Sequence, residues 1–296
     1  MNTPQGNVPT ISLSDGTKIP QLGFGTLRVQ PDRESSAANV ELTGHVVGLA
    51  LEAGYRHLDT AQNYGNEQGV GKAIADCGIP REDLYVTSKL GDWNHHPDDV
   101  RRSFDLTLEN LGLDYLDLFL IHWPLPTKTG GDYVATWKAM TELVAEGRLR
   151  SAGVSNFQPA HLGRLVAETG IAPTVNQFEL HPYFTNGAVR AASARYGIAI
   201  EAHSPLGHDG KPLTDAAIAR IAADRGRTTA QIILRWHVEH GQIIIPKSAR
   251  PERMAENRAI FDFELTYEEI AAIDALDRGA GGRVGPDPDI YVGQPR

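Results

Sequence analysis

Several polar residues each stand at the end of a short apolar run: Asp59, Lys89, His122, Ser155 with Asn156, Gln177 with Glu179, His203 with Ser204, and Lys247 with Ser248. If the runs are neighbouring strands, Asp59 and Lys89 must pair, because either charge alone would suffer desolvation. Tyr64 follows in Asp59-Thr60-Ala61-Gln62-Asn63-Tyr64-Gly65. An ammonium beside a phenol favours the phenolate, so this spacing predicts a lowered Tyr64 pKa and a proton donor that works near neutral pH. His122, in Leu120-Ile121-His122-Trp123-Pro124, is placed to hydrogen-bond a substrate oxygen beside that phenol. Together the four describe a pocket that binds an oxygen and protonates it. Taken singly, an Asp–Lys pair or a strand-end histidine is as often structural as catalytic. Four on consecutive strand ends shift the balance toward function.

Proton delivery needs a second reactant before it names a reaction. The dinucleotide fingerprint is incomplete, since Gly23-Phe24-Gly25 lacks the third glycine, and Ala73 breaks a P-loop after Gly71-Lys72. A nucleotide would have to be held another way. Ile245-Pro246-Lys247-Ser248, followed by Arg253, Glu256 and Asn257, offers a cation, a hydroxyl and a guanidinium suited to a terminal phosphate. The same stretch also reads as a solvated basic loop.

The elements that must position these groups follow from periodicity. Strand-like runs fall at Leu22–Gly25, Arg56–Asp59, Leu84–Lys89, Leu116–His122, Arg150–Ser155, Thr174–Phe178, Ile198–Ala202 and Gln242–Pro246. Amphipathic stretches lie between them, among them Asn39–Ala53 and Asp98–Leu111, and a short helix starts at Pro251. Gly54, Gly78, Gly112, Gly147, Gly170, Gly197, Gly226 and Gly241 suit helix C-caps. Val8–Leu13 and Thr17–Ile19 flank Ser14-Asp15-Gly16 as a hairpin. The repeat predicts one α/β domain over residues 1–296, a (β/α)8 TIM barrel with its active site at the C-terminal ends of the strands. Two helical patterns after the seventh strand, Leu213–Arg225 and Thr229–His240, make one helix an extra. Gly279–Arg296 reads as a C-terminal loop.

Composition narrows the classes. With 296 residues and 37 acidic against 28 basic side chains, the formal charge is −9, which argues against a nucleic-acid surface. The lone Cys77 excludes an internal disulfide and multi-cysteine metal sites, and fits the cytoplasm. Met1–Pro9 has no apolar core for a signal peptide, and no run is long enough for a membrane helix. The adjacent His95 and His96 read as loop residues, so no metal is expected.

The chain resembles the aldo-keto reductases over nearly its whole length. The resemblance rests on Leu22-Gly23-Phe24-Gly25-Thr26, Arg56-His57-Leu58-Asp59-Thr60-Ala61, Tyr64-Gly65-Asn66-Glu67 and Thr87-Ser88-Lys89-Leu90. It continues through Asp114-Tyr115-Leu116-Asp117-Leu118, His122-Trp123-Pro124, Gly153-Val154-Ser155-Asn156-Phe157, Asn176-Gln177, His181-Pro182, Ile245-Pro246-Lys247-Ser248 and Glu256-Asn257. Phe261-Asp262-Phe263-Glu264-Leu265 and the short tail are most similar to the bacterial branch that contains 2,5-diketo-D-gluconate reductases. The resemblance implies reduction of an aldehyde or ketone by NADPH, with a small carbonyl or keto sugar such as methylglyoxal or 2,5-diketo-D-gluconate as substrate. It implies Tyr64 as proton donor, Lys89 and Asp59 as the pair that tunes it, and His122 as the residue that orients the carbonyl. Ser155, Asn156 and Gln177 would hold the nicotinamide carboxamide, and Ser204 and Leu206 would follow the pyrophosphate. Lys247, Ser248 and Arg253 would clamp the 2′-phosphate, with Glu256 and Asn257 at the adenine. A monomer is expected.

Two departures carry expectations of their own. His203 stands where the family has Tyr or Trp stacked on the nicotinamide; this reads equally as weaker stacking with a pH-dependent cofactor affinity or as plain tolerance of another flat ring. Trp93 is displaced from the aromatic that usually follows Lys89-Leu90; with Phe24 and Trp123 it is a candidate pocket wall. Asp287, Asp289 and Tyr291 would approach the mouth and disfavour an anionic substrate, with Arg283 and Arg296 in opposition. The competing readings are a cofactor-binding barrel with little turnover and a metal-dependent barrel hydrolase.

Overall fold

The computed structural model describes residues 8–127 and 132–293. A hairpin of β1 (Thr10–Ser12) and β2 (Lys18–Pro20) precedes a parallel sheet of eight strands in sequential order. These are β3 (Phe24–Gly25), β4 (His57–Asp59), β5 (Tyr85–Leu90), β6 (Leu116–Ile121), β7 (Leu149–Ser155), β8 (Val175–Glu179), β9 (Ala199–His203) and β10 (Ile243–Ile244). The sheet closes on itself. Leu22 pairs in parallel with Ile244, and the Gly23 N–H donates to the Ile244 carbonyl at 2.8 Å. Gly25 permits that closure, because a Cβ there would meet the Ile245 carbonyl oxygen at 2.8 Å.

Helices α1 (Ala37–Glu52), α2 (Glu67–Asp76), α3 (Pro97–Leu111), α4 (Tyr133–Ala145), α5 (Pro159–Thr169) and α6 (Gly187–Arg195) alternate with the strands. Between β9 and β10 stand both α7 (Ala216–Arg225) and α8 (Thr229–Glu239), the extra helix expected there. Next come α9 (Pro251–Arg258) and α10 (Tyr267–Asp274). Each of the glycines expected as caps has positive φ, from 60° at Gly226 to 95° at Gly54.

Alternation along the strands sorts two apolar cores. Leu118, Leu120, Val175 and Ile243 fill the barrel interior with Leu13 and Ile19 of the hairpin, which therefore plugs the N-terminal end. Phe119, Ile121 and Phe178 face the helices. Above the plug the inward positions turn polar and reach the C-terminal end as Asp59, Lys89, Ser155, Gln177 and His203.

The C-terminal segment is the expected loop, and it is an ordered one. It begins with a 3₁₀ turn, Gly279–Gly282, and then runs across the barrel mouth. The Glu179 carboxylate at the end of β8 accepts the backbone N–H of Val284 at 2.7 Å and of Gly285 at 2.8 Å. Burial opposes its charge, but His181 and these two N–H groups win and take its pKa down to about 2. Farther on, the Tyr291 hydroxyl donates to Asp92 at 3.0 Å.

Candidate active site

The strand ends form the floor of a cavity of about 610 Å³. Pairing of β4 with β5 sets Asp59 beside Lys89. Lys89 Nζ donates to Asp59 Oδ1 at 2.6 Å, to the Thr60 carbonyl at 2.9 Å and to Tyr64 Oη at 3.4 Å. Tyr64 ends a 3₁₀ turn closed by Gly65 at φ 67°. A Cβ on Gly65 would collide with the Arg33 carbonyl, and the side chains of Gln30 and Ser35 donate to the Gly65 carbonyl at 3.3 and 2.8 Å. The loop after β3 therefore clamps the turn that aims the phenol. The rings of Tyr64 and His122 meet edge to face at 5.6 Å.

The electrostatics correct one expectation. Burial raises the Tyr64 pKa; Lys89 and Arg33 oppose that rise, but Asp59 adds to it. The phenol is a loaded acid at neutral pH, not an incipient phenolate. Burial also works against the Lys89 ammonium, yet the Asp59 carboxylate it is paired with raises its pKa and keeps it charged. His122 is held well below its usual range by burial first and Lys89 second, so its ring is neutral.

Ser155, Asn156, Gln177, His203, Ser204 and Leu206 share the cavity wall. Asn156 donates from Nδ2 to the His122 carbonyl at 3.0 Å, and its Oδ1 lies 3.1 Å from His203 Nε2. Burial takes His203 down to about 4 although Glu179 opposes it. The titration near neutral pH expected of this ring is therefore absent: with Nε2 protonated it is a neutral donor to Asn156. Arg28, Asn156, Asn186 and Ser204 all have positive φ, between 51° and 64°, and all line the cavity. Non-glycine strain of this kind gathers at binding sites.

A second cavity of about 450 Å³ holds Ser248, Arg253, Glu256 and Asn257, together with Thr228 and Leu213. Leu206 and Lys247 line both cavities, so the two form one trough with a shared wall. Glu256 accepts from the Thr228 hydroxyl at 2.8 Å. Every residue expected at the cofactor thus lies along this trough.

The expected substrate wall divides. Trp123 lines the cavity and packs on Tyr291 with ring centroids 4.2 Å apart. Phe24 does not line it: it is 1% exposed and packs edge-on against Tyr55, because its strand position faces the helices. Trp93 is not on the wall either and packs beside Gly91. Asp287 and Asp289 also stay off the wall, with Asp289 3.5 Å from His161, so the expected acidic repulsion loses its basis. Arg283 reaches the cavity; Arg296 lies outside the described residues.

Sequence reasoning missed Arg28, Arg33 and Glu201. Arg28 and Arg33 sit in a loop with no periodic pattern, and only the fold turns them to the cavity. Arg28 Nη1 lies 2.9 Å from His208 Nε2, a bridge across the trough. Among the described residues no cluster of three or more His, Cys, Asp or Glu side chains is placed to hold a metal, and no helix is long and apolar enough to cross a membrane.

Comparison with known proteins adds independent findings. The model of the aldo/keto reductase family matches residues 21–278. An aldo-keto reductase of Mycolicibacterium smegmatis is 47% identical over 283 residues, covering 96% of this chain and 98% of that protein. Methylglyoxal reductase DkgA of Escherichia coli is 43% identical over 288 residues, covering 97% and 99%. The crystal structure of a Bombyx mori aldo-keto reductase in complex with NADP superposes with a TM-score of 0.87 at 38% identity, covering 97% and 98%.

Proposed function

The chain belongs to the aldo/keto reductase family, and from that premise we propose that it reduces a small aldehyde or ketone to the alcohol with Tyr64 as general acid. It is an NADP-dependent oxidoreductase. The observation that carries the reading is the convergence of Asp59, Tyr64 and His122 on one cavity wall, with the buried Lys89 behind them and its Nζ 2.6 Å from Asp59 and 3.4 Å from the Tyr64 oxygen.

The trough suits the cofactor on its own evidence. Its two chambers share Leu206 and Lys247, and the cationic Arg253 stands in the chamber away from Tyr64 with Lys247 on the shared wall. Lys247, Ser248 and Arg253 would hold the 2′-phosphate, Glu256 and Asn257 the adenine, and Ser204 and Leu206 the pyrophosphate. Ser155, Asn156 and Gln177 would hold the nicotinamide carboxamide, with His203 beside the ring. When bound, NADPH supplies the hydride.

This chain's residues do the rest. Trp123 and Tyr291 present a flat apolar wall to the carbonyl compound. His122, neutral, would donate a ring N–H to the carbonyl oxygen and fix its direction. Tyr64 donates a second hydrogen bond, so the charge that develops on that oxygen meets two placed donors. Tyr64 then transfers its proton to complete the alcohol. Lys89, charged and locked to Asp59, stabilises the phenolate left behind. That lowers the cost of proton release at the moment it occurs, although burial keeps the resting phenol neutral.

The test follows NADPH absorbance with methylglyoxal, an aromatic aldehyde and a diketo sugar acid, beside Tyr64→Phe. Turnover is expected with a carbonyl present, and Tyr64→Phe is expected to lower kcat by about 10²–10⁴-fold. Saturable NADPH binding with no turnover of any carbonyl would favour a cofactor-binding barrel instead.

A further inference from the structure

Glu201, on β9, is a wholly buried acid that the chemistry above does not use. It does not line the cavity and lies beneath its floor. Its Oε2 accepts Gln177 Nε2 at 3.1 Å, and the same nitrogen donates to Asp59 Oδ2 at 2.8 Å. Both hydrogens of the Gln177 amide are therefore committed inward. Gln177 Oε1 makes no hydrogen bond to any described residue, while the side chain lines the cavity. The amide thus presents an acceptor, and no donor, to whatever lies above it.

The surroundings of Glu201 give it no counter-ion. His57 and Asp59 face it from β4, Tyr85 and Lys89 from β5, Gln177 from β8, and Ile243 pairs with it from β10. His57 Nε2 is 3.6 Å from Glu201 Oε1, but burial takes that imidazole down to about 3, so it is neutral. Lys89 is committed to Asp59 at 2.6 Å. Burial first, then Asp59, pushes Glu201 up to about 8, so it carries a proton at neutral pH. The interior beneath is apolar, with Leu118, Leu120, Val175 and Ile243. A leucine at this position would avoid the cost of burying a carboxyl group. Fold stability alone gives no reason for a glutamate here.

We propose that Glu201 is a positioning residue for the cofactor: it locks the Gln177 amide so that only its oxygen faces the nicotinamide carboxamide. The inference rests on the assignment of Gln177 to that carboxamide. Without Glu201 one amide hydrogen loses its acceptor, and the side chain is free to turn and present nitrogen to nitrogen. A second consequence follows from charge. As Glu201 ionises in mild alkali, negative charge is added below the floor, which favours the cationic ring of NADP⁺ over NADPH.

The experiment titrates NADPH and NADP⁺ by protein fluorescence into wild type, Glu201→Met and Glu201→Gln, with a thermal melt of each. Glu201→Met keeps the bulk and removes the acceptor; its NADPH Kd is expected to rise about tenfold, with kcat at saturating cofactor changed much less. Glu201→Gln retains an acceptor oxygen and is expected to bring Kd back to within about twofold of wild type. In wild type the ratio of NADP⁺ to NADPH affinity is expected to rise between about pH 7 and 9, and Glu201→Gln to abolish the rise. Taking the ratio cancels titration of the phosphate common to both forms. Wild-type NADPH affinity in Glu201→Met would overturn the proposal, as would equal losses in the two variants. If Glu201→Met melts too early to titrate, the ratio decides: a rise that persists in Glu201→Gln, or is absent from wild type, overturns it. A wild type that binds no NADPH at all would instead overturn the cofactor assignment itself.

Discussion

At the residue scale, burial sets the protonation states and overrides what neighbours in the sequence imply. Lys89 stands close to Tyr64, which by itself would lower the phenol; burial reverses the sign. His203 shows the same effect with a measurable consequence. An imidazole in contact with solvent would charge within the physiological range and repel a cationic ring. Here burial takes it down to about 4. A lowered pKa leaves the ring neutral at every pH above that value. The affinity for NADP⁺ is therefore expected to gain no His203-dependent step between about pH 5.5 and 8. Fluorescence titration of wild type and His203→Tyr across that range checks it. Parallel curves agree with a neutral ring, whereas curves that diverge toward the acid end would show the imidazole charging. Asp59, Lys89 and His122 were legible in the sequence because each ends an apolar run, and Tyr64 because it follows Asp59 in the next loop. The protonation states were not, because they depend on how much protein covers each group.

At the element scale, local patterns were legible and long-range closures were not. All eight barrel strands and the glycine caps follow from short-range chemistry, period and punctuation. The departures come from which face a residue takes and from what crosses the mouth. Phe24 reads as an apolar pocket candidate, yet it packs in the core that faces the helices. The C-terminal run reads as a loop because Gly and Pro punctuate it; its order comes from Glu179, a residue about a hundred positions earlier. That carboxylate accepts two backbone N–H groups, a charge-assisted arrangement that an amide cannot reproduce. Glu179→Gln is expected to loosen residues 284–291 while the barrel strands keep their protection. Hydrogen exchange by NMR would show faster exchange at Val284 and Gly285. Because Tyr291 lines the cavity proposed for the substrate, KM for an aromatic aldehyde is expected to rise about tenfold, with a smaller change in kcat. Unchanged exchange at both amides would mean that the segment is held by the Tyr291–Asp92 end alone.

At the scale of the whole molecule, the proposed function puts catalysis and cofactor choice on opposite sides of one closure. The Tyr64 side belongs to β4, β5 and β6; the second chamber belongs to the residues that follow β10 and to α9. Sequential strand order brings the first and last strands together, so groups almost 190 residues apart in the chain, Asp59 and Lys247, line one cavity. The chambers meet at Leu206 and Lys247, and Lys247 Nζ donates across the closure to the Arg28 carbonyl at 3.4 Å. This separation predicts that cofactor preference can be altered without touching the acid. Lys247 and Arg253 are exposed cations on a chain whose formal charge is −9, and with Arg250 they give that chamber a local excess of positive charge for a phosphate. Lys247→Ala combined with Arg253→Ala is expected to raise the KM for NADPH by about 10–100-fold, from two lost charge-assisted contacts. The KM for NADH, which lacks the 2′-phosphate, is expected to change by less than about threefold, and kcat with either cofactor to hold because the tetrad is intact. Added salt is expected to weaken NADPH binding in wild type more than in the double variant, since exposed charges are screened. Equal losses for NADPH and NADH would place these cations on a group common to both cofactors, the pyrophosphate, and move the 2′-phosphate elsewhere along the trough.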